Sequence, residues 1–149
     1  MATYTPPLDD IRFLFEAFDY EGQIQSMPAF EDFDLDTSMS MLEEYSKFCV
    51  DELRELGFKG DQVGVSYDPE THDVTVPEGF TEAYKAFCEN GYAGIPFPQE
   101  FGGIGAPFAV GTLGGEILIA CNKSFSMCTG LTAGLIDSLE AHGSDEQKE

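Results

Sequence analysis

Asp32-x-Asp34-x-Asp36, followed by Glu43, places carboxylates at four of the positions from which an EF-hand loop holds calcium. The sixth position, where that loop turns sharply on a glycine, is Thr37, and no helix with a good apolar stripe precedes the run. The simpler reading is an acidic helix start, with Asp36 or Thr37 as the cap and the other acids beside the positive end of the helix. A calcium-binding acidic protein is the alternative that rests on this segment alone.

Other candidate chemistry is sparse. Gly102-Gly103-Ile104-Gly105 has the glycine density of a phosphate cradle but lacks the lysine, and reads as a loop between helices. No dinucleotide fingerprint follows a strand, and no phosphate loop, serine elbow or His-Glu-x-x-His is present. Glu116 stands in an apolar helix, where burial would favour its uncharged form; a structural hydrogen bond is the preferred role over catalysis. Cys49, Cys88, Cys121 and Cys128 form no Cys-x-x-Cys pair, and His72 and His142 lie at no ligand spacing from them, so no metal site is expected. Buried free thiols in a reducing cytoplasm account for them, and MATYTPPLDD carries no targeting signal.

The chain of 149 residues is long enough for one domain with a real core. Its 28 acidic and 7 basic residues give a net charge of −21, which excludes nucleic acid and anionic membranes as partners.

The elements that must position these residues are mainly helical. Leu8, Ile11, Leu14, Phe15 and Phe18 predict a short N-terminal arm helix capped by Asp9 or Asp10. Residues from Tyr20 to Phe33 lose the pattern and read as loop. Met41, Leu42, Tyr45, Phe48, Cys49, Leu53 and Leu56 predict a helix from about Ser38 to Leu56, with Gly57 as its C-cap. Val63, Val65 and Tyr67 alternate, as do Val74 and Val76, which predicts a small hairpin. Phe80, Ala83, Tyr84, Phe87 and Cys88 predict a helix closed by Asn90-Gly91.

After a stretch rich in Gly and Pro over 92–107, two apolar helices are expected over Phe108 to Cys121 and Ser124 to Ala141, with Asn122 and Lys123 between them. Gly111, Gly114, Gly115, Gly130, Ala133 and Gly134 in these helices imply close approach of another backbone or of a ligand. A membrane span is excluded because Glu116, Lys123 and Asp137 interrupt every window of about 20 residues.

The segments TYTPPLDDIRFLFEAF, VPEGFTEAYKAFCENGYAGIPFPQEFGGIGAP and GEILIACNKSFSMCTGLTAGLIDSLEAHGSDEQKE together resemble the N-terminal helical domain of the acyl-CoA dehydrogenase family, in its larger members with an N-terminal extension. Tyr92 departs from the tryptophan common there. The resemblance implies a mainly α antiparallel helical bundle with a small β-hairpin, divided into an extension over 1–34 and the helical domain over 35–149. It implies an FAD enzyme that removes a proton and a hydride from the α and β carbons of an acyl-CoA. Its partners would be that substrate, an electron-transfer acceptor, the remaining domains and further copies in a homo-oligomer. Ser126, Met127, Gly130 and Gly134 fall where the family lines its acyl pocket. The base and most of the flavin site belong to other domains, so no catalytic residue is expected here.

Ser144 to Lys148 spell a capping box, a helix start that reaches only Glu149. The expectation is the leading piece of a larger enzyme, inactive alone; the alternative from another class is a stand-alone helical interaction module.

Overall fold

In the computed structural model, which describes residues 4–148, the chain is mostly helical with a two-stranded antiparallel sheet. The helices are α1 (Leu8–Ala17), α2 (Leu35–Phe48), α3 (Arg54–Val63), α4 (Phe80–Glu89), α5 (Phe108–Cys121), α6 (Lys123–His142) and α7 (Asp145–Lys148). The strands are β1 (Ser66–Tyr67) and β2 (Val74–Thr75), with Ser66 opposite Thr75 and Tyr67 opposite Val74.

The apolar stripe of α2 is the spine of the core. Met39, Leu42 and Tyr45 are buried, and Cys49 and Leu53 continue the line. Against it lie Ile11 and Phe15 of α1, Ala83 and Phe87 of α4, and Val110, Ile117 and Leu118 of α5. Phe125 at the start of α6 meets Phe87 edge-on with ring centroids 5.4 Å apart. Tyr92 stacks edge-on to Tyr45 at 4.9 Å, which gives this tyrosine a place in the aromatic cluster. Burial comes first, and the facing Cys121 second, in pushing the Cys49 thiol up to about 12.

Residues 8–33 are tied to this core. Asp19 takes a left-handed conformation (φ 52°) after α1. Tyr20 then turns inward against Phe15 and pairs its hydroxyl with Ser38 Oγ at 2.8 Å. The stretch read as loop contains a π-helical turn at Glu21–Gln25 and a 3-10 turn at Pro28–Phe30. Local bonds hold these turns without an apolar stripe, among them Ser26 Oγ donating to the Gly22 carbonyl at 2.6 Å. Asp9 and Asp10 lie inside the first turn of α1 and do not cap it.

The acidic run has a local purpose. Asp34, rather than Asp36 or Thr37, caps α2, accepting from the Thr37 amide at 2.7 Å, while Asp36 pairs with Arg12 at 3.1 Å. The Thr37 amide holds the Asp34 carboxyl below its usual value. Its stabilisation is therefore complete above the unfolded pKa of about 3.9 and is lost as pH falls through the lowered folded value. A carboxyl NMR titration is expected to place the Asp34 midpoint below that ordinary value; a midpoint at or above it contradicts the capping role.

The second helix does not stop at Gly57. It passes through a π-helical turn at Cys49–Leu53 and continues as α3 to Val63, where Gly64 (φ 69°) ends it. Gly57 serves a different need, because a Cβ there would lie 3.0 Å from the Cys121 carbonyl oxygen. The glycine lets α3 touch the corner between α5 and α6, and the hairpin is shorter than expected because Val63 belongs to the helix.

Candidate functional site

Asn122 is the single residue between α5 and α6, and it is 2% exposed. Its extended backbone (φ −152°, ψ 93°) turns the chain, and its side chain bonds in three directions. Oδ1 accepts from the Phe125 amide at 3.0 Å and from Ser124 Oγ at 2.8 Å, which caps α6. Nδ2 donates to the Leu53 carbonyl at 3.0 Å, fastening the corner to the π-helical turn. Asparagine directly before an apolar helix is a readable cap signal. Its long-range bond to Leu53 has no signal in the sequence.

From this anchor α6 runs outward. Only Phe125 and Ser126 of its residues are buried, both in the first turn. Ser126 donates its hydroxyl to the Lys123 carbonyl at 2.7 Å, so its oxygen is left as an acceptor. Met127 is 53% exposed, and Leu131 and Leu135 are 74% and 59% exposed. No atom lies within 4 Å of where a Cβ would stand on Gly130 or Gly134. At 3.6 residues per turn, Ser126, Met127, Gly130 and Gly134 share an arc of about 100°, which Leu131 and Leu135 adjoin. The four expected residues thus lie on one arc, with Ser126 buried at its foot, Met127, Gly130 and Gly134 exposed, and the exposed Asp137 on the same arc beyond Gly134; Met127, Gly130 and Gly134 make an open shelf.

The glycines of α5 behave differently. A Cβ on Gly111 would meet the Pro96 ring at 3.1 Å, and one on Gly114 would meet the Tyr45 ring at 3.3 Å. These two are close-packing glycines, whereas Gly115, Gly130 and Gly134 face space. Glu116 is exposed, which corrects the expectation of a carboxyl buried among apolar neighbours.

The Gly102–Gly105 loop is not a phosphate cradle. The amides of Gly102, Gly103, Ile104 and Gly105 donate to the carbonyls of Gln99, Pro98, Gly94 and Phe97. Among the described residues no cluster of three or more His, Cys, Asp or Glu side chains could hold a metal, and no helix is long and apolar enough to cross a membrane.

Two concavities border the bundle. One, of about 860 Å³, lies between α3, the hairpin, α4 and the α5–α6 corner, with Val76, Phe80, Tyr84, Ile119 and Phe125 in its walls. The other, of about 380 Å³, lies between the glycine-rich loop and Ile136 and Leu139 of α6. Neither is lined by Ser126, Met127, Gly130 or Gly134. Among the described residues the α6 shelf is therefore an open surface outside both concavities.

The family described as acyl-CoA dehydrogenase, N-terminal domain, matches residues 36–149. A 3-methylmercaptopropionyl-CoA dehydrogenase of Ruegeria pomeroyi is 36% identical over 146 residues, covering 98% of this chain and 24% of its own length. A broad-specificity linear acyl-CoA dehydrogenase of Mycobacterium tuberculosis is 33% identical over 119 residues, covering 80% of this chain and 19% of its own. The chain spans about a quarter or less of the length of these relatives. The helical bundle, its small hairpin and the match over most of its residues lead to one conclusion: this chain belongs to the acyl-CoA dehydrogenase family and carries its N-terminal domain.

Proposed function

We propose that this chain is one wall of an acyl-CoA dehydrogenase that oxidises the α,β bond of an acyl thioester, and that by itself it is inactive. The observation that carries the reading is the α6 shelf, where Gly130 and Gly134 leave room for an acyl chain alongside Met127, Leu131 and Leu135, with Asp137 at its far end. Its residues would do three things: Met127, Leu131 and Leu135 exclude water, the glycines admit the chain, and the Ser126 oxygen offers an acceptor at the anchored end of the shelf. The family's FAD would accept the hydride. The described residues do not by themselves fit that group, since the loop amides that could meet a pyrophosphate are already bonded to carbonyls. In this reading the flavin site and the base belong to the rest of the enzyme, as do the electron-transfer acceptor's docking site and the surfaces of a homo-oligomer. Four free cysteines accord with a cytoplasmic home.

The test of this reading uses the purified chain with FAD, a series of acyl-CoA thioesters and an electron-accepting dye. No stoichiometric flavin binding and no thioester-dependent dye reduction are expected. Grafting residues 1–149 in place of the matched N-terminal quarter of the Ruegeria pomeroyi enzyme is expected to give an active chimera. Dye reduction by the chain alone contradicts the reading.

A further inference from the structure

A second apolar surface lies away from the α6 shelf. Tyr67 and Val74 face each other across the hairpin, and strand alternation puts Val65 and Val76 on the same side. All four are exposed, and no residue of either strand is buried. A two-stranded ribbon is marginal in water, and an apolar face fixes its register only when something packs on that face. Val65 and Val76 also form part of the 860 Å³ concavity, so the hairpin face runs continuously into the groove that reaches Ile119 and Phe125 at the foot of α6. The groove is walled mainly by apolar side chains, with Asp61, Thr81, Lys123 and Ser124 among them, and an exposed apolar face of this kind on a chain of net charge −21 is a candidate interaction surface.

We propose that the hairpin face and the adjoining groove dock the remainder of the dehydrogenase, as a contact separate from the acyl wall. This inference rests on the reading above. The occupant is the remaining body of the enzyme for three reasons. The Ruegeria pomeroyi relative matches 98% of this chain, the hairpin included, and carries about three quarters of its length outside the match. The groove ends at the corner from which the α6 wall begins, so one body can cover both. A second copy of this chain would bring another charge of −21 against the first, and the two would repel.

The experiment compares hydrogen exchange across residues 63–80 in the isolated chain and in the chimera, with dye reduction measured on the same samples. The expected result is exchange slowed at least tenfold in the chimera. Val76→Asp should restore fast exchange there and leave the fold of the isolated chain unchanged, since that side chain is exposed in it. An active chimera whose hairpin exchanges as fast as in the isolated chain overturns the inference and leaves the proposed function standing. Concentration-dependent protection of the hairpin in the isolated chain, with a dimer in sedimentation, overturns it in favour of a second copy. Where the chimera does not fold, the intact Ruegeria pomeroyi enzyme is compared with its matched N-terminal segment: slower exchange in the intact enzyme supports the inference, and equal exchange overturns it.

Discussion

Asn122→Ala is expected to be among the most damaging single substitutions in the chain. Losing a side-chain cap costs about 0.5–2 kcal/mol, and losing the buried bond from Nδ2 to the Leu53 carbonyl adds about 0.5–1.5 kcal/mol. The two losses share one side chain, so about 1–3 kcal/mol in total is expected from urea unfolding with the slope unchanged. Asn122→Ser separates the terms, since a serine keeps a cap but does not reach the Leu53 carbonyl; it should fall between wild type and alanine. A loss below about 0.5 kcal/mol for alanine, within the range of ordinary surface changes, would mean that the α5–α6 corner is not held by this residue.

Gly130→Phe should separate folding from function. Nothing lies within 4 Å of the missing Cβ, so the ring projects into solvent in the isolated chain. Because an interior glycine is about 1 kcal/mol worse than alanine in a helix, thermal stability should stay level or rise slightly. In the active chimera the same ring fills the shelf, and displacement of the acyl group from its reactive position is expected to lower turnover roughly 100-fold. Gly115→Phe is the control. That position on α5 is equally open but lies outside the shelf, and turnover should persist. Equal loss from both substitutions would indicate a general effect of bulk.

The two substitutions mark where sequence reading succeeds and where it stops. Helices α1, α4 and α6 are legible because their apolar residues recur at helical spacing and their ends carry Asn, Gly or Pro. The end of α3 is not, since a glycine after an apolar stripe looks the same whether it caps a helix or lets another chain approach. At Gly57 the approach of the Cys121 carbonyl decides the matter. The cap of α2 is ambiguous for a related reason: Asp34, Asp36 and Thr37 can all cap, and only the turn geometry selects Asp34.

The exposure of Glu116 is not legible because α5 is apolar on nearly every side, which leaves no periodic signal for which side faces water. As for the site, the residues alone suggest only that glycines in α6 make room for something. Ser126, Met127, Gly130 and Gly134 are singled out through the family resemblance. On α6 they lie on one arc, Ser126 buried and Met127, Gly130 and Gly134 exposed.

The central claim is that the acyl chain lies on the α6 shelf and not in the larger groove behind it. The most direct measurement is photolabelling of the chimera with an acyl-CoA that carries a diazirine near the end of its chain, followed by mapping of the modified residues. Labels within Ser126 to Leu135, suppressed by unlabelled acyl-CoA, are the expected result. Labels confined to Phe80, Tyr84 and Ile119 in the groove would contradict it.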